Sequence, residues 1–131
     1  MFEMKEEYKL GLPHIDEQHT KLFELGEEAY KLLKDKYSID KYDKIVSIIK
    51  ELGTYTATHF KDEEDYMESI HYRKLFSQKI QHEEFIKAVA AVDLNKIDEN
   101  QDEYIMEILN FIAKWLTEHI IKEDLLITKK N

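Results

Sequence analysis

The stretch IVSIIKELGTYTATHFKDEEDYM, residues 45–67, decides the fold. Along it Ile45, Ile48, Leu52, Tyr55, His59, Glu63 and Met67 follow in steps of three and four, the spacing that keeps side chains on one face of an α-helix. Three more stripes share that spacing. The first, just after Pro13, runs Ile15, His19, Leu22, Phe23, Gly26, Ala29, Tyr30 and Leu33, with Asp16 as a candidate cap. Another, Leu75, Gln78, His82, Phe85 and Val89, steps 3, 4, 3, 4 like a heptad seam. The last carries Ile105, Ile108, Ile112, Trp115, His119 and then Glu123 or Asp124.

Between the stripes lie short polar segments. Residues 35–38 separate the first two, with Ser38 or Asp40 as the expected N-cap of the second helix, and Asp93 to Asp102 reads as a connection holding capping residues. Only three Gly and one Pro occur in 131 residues, too few for strands joined by tight turns. The expectation is an all-α, antiparallel up-down four-helix bundle formed by residues 1–131 as one domain.

Composition narrows the function. The chain holds 28 acidic residues against 18 Lys and the single Arg73, a formal charge of −9, so it lacks the clustered cations that nucleic acid or an anionic membrane surface demands. It has no Cys, which removes disulfides, thiolate nucleophiles and sulfur-ligated metals. Neither a signal-peptide core nor a run of roughly 18 apolar residues is present, so the cytoplasm is the expected location.

The polar residues that interrupt the stripes do so in register. His19, His59, Glu63, Gln78, His82 and His119 each fall where a buried side chain is expected, and Asp124, five residues after His119, needs only a small rotation to join them. A buried polar group without a partner costs about 1–3 kcal/mol and a bare charge more. Burying four imidazoles and two carboxylates would therefore consume most of a folding stability of about 5–15 kcal/mol unless something compensates. Metal ions do so: imidazole nitrogens and carboxylate oxygens become ligands, and the cations neutralise the acids. His59 and Glu63 are one helical turn apart, as are Gln78 and His82. Six or seven such ligands exceed what one tetrahedral ion takes, whereas two ions bridged by two carboxylates account for them. Zinc and manganese suit these residue types as well as iron.

Two other patterns lead nowhere. His82-Glu83-Glu84-Phe85-Ile86 begins like a zinc-protease helix, but residue 86 is Ile where the second ligand belongs. The acids Asp62 to Asp65 lie within a helical pattern and lack the Gly of a calcium loop. His14 and His71 fall off the stripes and are expected at the surface.

Placed in order, these elements resemble the hemerythrins, above all the single-domain bacterial ones. That family carries a His in an Ile-Asp-x-Gln-His segment, then HxxxE, HxxxH and HxxxxD. Ile15-Asp16-Glu17-Gln18-His19 matches the first, His59 to Glu63 the second and His119 to Asp124 the last, within a resemblance spanning roughly residues 8 to 127. It implies a non-haem centre of two iron ions, cycling between Fe2+ and Fe3+, oxo- or hydroxo-bridged, that binds dioxygen reversibly as peroxide. Glu63 and Asp124 would bridge the ions. One iron would take His19 and His59 and keep an open position, while Trp115, Leu116 and Ile120 would line an apolar oxygen pocket.

One element departs from the family. Position 78 holds Gln where the first His of HxxxH belongs, so the second iron would keep His82 and His119, plus the Gln78 amide oxygen, a water or nothing. A nearly symmetric site of this kind would favour autoxidation or peroxide turnover. The expected function is oxygen delivery, scavenging or sensing. The alternatives are a diiron peroxidase or oxidant-detoxifying enzyme, and a metal store or metal-responsive interaction module. With the chain ending at Asn131, soon after the last stripe, a sensor would have to signal through a separate, unidentified protein partner.

Overall fold

The computed structural model describes residues 1–129 and has the all-α bundle architecture that the stripes predict. Its helices are α1 (Pro13–Lys34), α2 (Lys41–Ser69), α3 (Leu75–Ala90), a short α4 (Leu94–Asp98), α5 (Asp102–His119) and α6 (Leu125–Thr128). Between α5 and α6 the chain winds as a π-helix over Ile120–Asp124. Neighbours along the chain turn back on one another: α1 packs on α2 and α5, and α2 on α3. Among the described residues no helix is long and apolar enough to cross a membrane.

Pro13 occupies the first turn of α1, where its missing N–H costs nothing and its fixed φ favours the helix. Asp16 does not cap α1 as expected. It lies one turn inside, and its carboxylate reaches back to accept from Leu10 N (2.8 Å) and Gly11 N (3.0 Å), closing the loop ahead of the helix. Asp40 is the N-cap residue of α2, but its backbone is left-handed and its side chain makes no cap bond; Ser38 does not cap at all. Two residues past the end of α2, His71 is exposed as expected and left-handed (φ 53°). There Tyr72 N–H bonds to Met67 O and His71 N–H to Glu68 O, the double bond of a Schellman cap.

Within the 93–102 connection the structure adds α4, capped by the Asp93 carboxylate on Asn95 N (3.0 Å). Its Ile97 is fully buried, and α4 packs on both α2 and α5. This five-residue helix thus closes the end of the core.

Along the bundle axis the apolar residues fall into two clusters. The larger contains Leu22, Phe60, Phe85, Leu116 and Ile120; the smaller contains Leu10, Ile15, Met67 and Ile127. On every main helix the polar site residues lie in sequence between members of these clusters. The polar layer is therefore sealed on both sides by hydrocarbon, the dry setting in which charge interactions are strongest. Near the N-terminus, Phe2 and Tyr8 pack on Phe23 of α1. Gly26 admits this strap, since a Cβ there would collide with the Phe2 ring.

Candidate metal centre

Five helical segments deliver the expected side chains to one place. His19 comes from α1, His59 and Glu63 from α2, Gln78 and His82 from α3, His119 from the last turn of α5 and Asp124 from the π segment; all seven are buried. His19 Nε2 lies 3.3 Å from Asp124 Oδ2 and 3.5 Å from Glu63 Oε2. His59 Nε2 is 3.5 Å from the same Glu63 oxygen. On the other side His82 Nε2 is 3.1 Å from Glu63 Oε1, and His119 Nε2 is 3.2 Å from Asp124 Oδ1. Two donor sets result, one of His19, His59 and Glu63 and one of Glu63, His82, His119 and Asp124, with Glu63 common to both.

The π segment settles which acid joins. In an α-helix, residues advance about 100° each, so a residue five positions on sits roughly 140° round the helix. The π winding, in which Leu125 N–H bonds to Ile120 O, inserts the missing rotation and turns Asp124 inward while Glu123 stays half-exposed.

Three of the four histidines are held from behind. His59 Nδ1 donates to Gln18 Oε1 (2.7 Å), His82 Nδ1 to Glu64 Oε2 (2.8 Å) and His119 Nδ1 to Gln81 Oε1 (2.9 Å). Each clamp fixes its ring with Nε2 facing the cluster, the arrangement that metal-ligating imidazoles require. Each clamping residue is also the chain neighbour of a site residue on a different helix: Gln18 precedes His19, Glu64 follows Glu63, and Gln81 precedes His82. Sequence reading missed these roles. Gln18 and Gln81 each sit beside a stripe His, a signal that has meaning only once the helices are known to face each other. Gln18 is itself anchored, its amide donating to Asp62 Oδ2 (2.8 Å) and lying 3.3 Å from Nε2 of the exposed His14.

His19 has no clamp. Neither of its ring nitrogens, nor either Glu63 oxygen, has a hydrogen-bond partner among the described residues. Gln78 is fully buried; its amide donates to Asp124 Oδ1 (3.1 Å), and its carbonyl oxygen has no partner among the described residues. Orphaned acceptors and imidazole nitrogens in a dry layer are what a cation would satisfy, so the residues fit a metal site by their chemistry.

Protonation shows the same need. Burial opposes charge on His19, but the carboxylates of Asp124 and Glu63 outweigh it and push its pKa up to about 9. His82 is raised against burial by its contact with Glu63 and by Glu64. Burial holds His59 down at about 4, neutral. Despite burial, the facing histidines lower both Glu63 and Asp124. In the absence of metal, the two carboxylates thus favour protonation of His19 and His82.

The aromatic surroundings fall on the His82 and His119 side. Phe60 stacks on His82 at 3.8 Å and 2°, and Trp115 on His119 at 4.5 Å and 12°. Trp115 is half-buried, while Leu116 and Ile120 are buried in the larger apolar cluster.

The sequence was compared with known proteins. Residues 10–130 match the family model described as "Hemerythrin HHE cation binding domain". A bacteriohemerythrin of Clostridium acetobutylicum is 48% identical over 124 residues, covering 95% of this chain and 96% of that protein. A bacteriohemerythrin of Pseudomonas paraeruginosa is 29% identical over 92% of this chain and 74% of its own, and a hemerythrin-like protein of Naegleria gruberi 27% identical over 95% and 88%. With a helical bundle, a buried layer of histidines and carboxylates, and a match along nearly its whole length, the chain belongs to the hemerythrin family.

Proposed function

We propose that residues 1–131 form one domain whose buried layer is a non-haem diiron centre for reversible dioxygen binding. The carrying observation is the pair of buried donor sets that share Glu63, both of whose oxygens are orphaned among the described residues. In this reading His19 and His59 hold one iron, His82 and His119 the other, and Glu63 and Asp124 bridge them. When bound, the irons supply the electrons and the coordination position that oxygen binding needs.

The chain's own residues do the rest. Gln18, Glu64 and Gln81 aim three imidazoles before any ion arrives, so little ordering remains to be done on binding. Leu22, Phe60, Leu116 and Ile120 keep bulk water from the polar layer, which slows loss of bound oxygen by protonation. Gln78 lies against Asp124 Oδ1, the oxygen that faces His119, so the open position for the gas belongs on the iron of His19 and His59.

Gln78 favours a second reading, peroxide turnover. Its N–H groups face Asp124, and its side chain stands where the family has a histidine, so the His82 iron has one imidazole fewer. Gln78 acts here as a donor to the bridging carboxylate. The decisive measurement is iron content together with the optical spectrum of protein prepared with and without air. Two irons per chain and a spectrum that reverses on deoxygenation support oxygen binding; one iron, or none, refutes it. A long-lived oxygenated form, with no steady-state peroxide consumption, would dismiss the second reading. If that reading holds, Gln78→His lengthens the lifetime of the oxygenated form.

A further inference from the structure

Trp115 is the single tryptophan of the chain and touches both the centre and the surface. Its indole lies face to face with the His119 ring, 4.5 Å between centroids and 12° between planes, and His119 Nε2 points into the cluster. On the same side Phe85 stacks at 4.3 Å, and Phe60, 5.8 Å from the indole, covers His82. Both histidines of one donor set therefore belong to one aromatic stack. Outward, Trp115 borders a surface cleft of about 140 Å³ together with His119, Gln81, Glu118, Lys122 and Glu123. His119 is the most exposed histidine of the site at 6%.

We propose that Trp115 is the electron port of the centre, passing single electrons between a one-electron carrier at this cleft and the metal bound by His82 and His119. The port rests on the metal-binding reading above. Oxygen binding at a ferrous pair fails once the pair has been oxidised to ferric, and the buried centre meets solvent through this stack, whose other exposed ring, Phe111, stacks on Phe85 and not on a histidine of the site. A reductant at the cleft loses one electron, one iron(III) becomes iron(II), and no atom is transferred; two such passages restore the pair. The contact conducts in both directions, so the reverse passage is the measurable one. A photogenerated oxidant removes one electron from Trp115, and an iron(II) returns one to the indole radical and becomes iron(III).

The test is flash photolysis of the whole protein with ruthenium(III) tris-bipyridine as the photogenerated oxidant. Metal-free and zinc(II)-loaded protein should give a long-lived tryptophanyl radical, assignable because there is one tryptophan. In iron(II)-loaded protein that long-lived radical should be lost, with one iron(III) formed per radical consumed. A double variant, Trp115→Phe with Tyr37→Trp, moves the indole to a 91% exposed position beyond the far end of α1. Its radical should persist equally with zinc(II) and iron(II). Equal lifetimes for the wild-type radical with the two metals, when analysis shows iron bound, would overturn the port alone. Equal shortening in the relocated variant would overturn it too. Failure to bind iron at all would remove the metal reading and the port with it.

Discussion

Replacing Gln18 by Leu tests whether the site is built by clamping. Gln18 is 5% exposed, accepts from His59 Nδ1 at 2.7 Å and donates to Asp62 Oδ2 at 2.8 Å. Leu fills similar space but accepts nothing, so the buried His59 N–H loses its partner at a cost of about 1–3 kcal/mol. Asp62 is at the edge of the bundle, its side chain 37% exposed, and water replaces the lost donor there. A chain of this size survives such a loss against a stability of about 5–15 kcal/mol. What changes is the aim of His59. Loss of a partner behind a ligating His lowers metal affinity by roughly 10–100-fold, equivalent to about 1.4–2.7 kcal/mol. Chelator competition, read by Trp115 fluorescence, measures this on folded variant and wild type alike. His14→Ala, one contact further out on an exposed residue, should leave affinity unchanged, and Asp62→Asn should cost less than Gln18→Leu. A folded Gln18→Leu protein with wild-type affinity would refute preorganisation by the clamps, since His59 would then find its geometry unaided.

The metal-free protein should be most stable near neutral pH. His19 is raised from 6.5 to about 9, so its contribution is complete below pH 6.5 and is lost as pH climbs through about 9; His59 is depressed to about 4, so its contribution is present above 6.5 and vanishes as pH falls through about 4. Thermal melts from pH 4 to 9 check both limbs, and metal uptake near pH 7 should release protons in unbuffered titration, with His19 a source. Deleting Lys122 places Asp124 four residues after His119, where a plain α-turn brings it within about 40° of the His119 direction and the π winding is no longer needed to turn it inward. Helicity and iron content should both persist, and loss of iron from a folded variant would contradict the role given to the π segment. His71→Gly relieves a left-handed residue at the end of α2 and should stabilise the fold by about 0.5–1 kcal/mol in chemical denaturation; a destabilised variant would show that the His71 side chain matters more than its backbone.

Much of this molecule is written in the period of its sequence. Steps of three and four determine helices whatever surrounds them, because the spacing follows from helical geometry alone, and a polar residue on such a stripe is committed to the interior once the stripe is buried. That is why His19, His59, Glu63, Gln78, His82 and His119 were legible together. Asp124 was legible only up to a rotation, because an α-helix and a π turn read alike in composition and differ in one hydrogen bond. The tertiary structure alone decided the rest. Asp16 serves the loop before α1 and does not cap the helix, α4 plugs a segment that reads as pure connection, and Phe60 and Trp115 cover two rings of the site. The clamps are the plainest case: Gln18, Glu64 and Gln81 act on rings 41, 18 and 38 residues away. Local spacing says which face of its own helix a residue occupies. Which ring it meets depends on how two helices cross, and only packing fixes that.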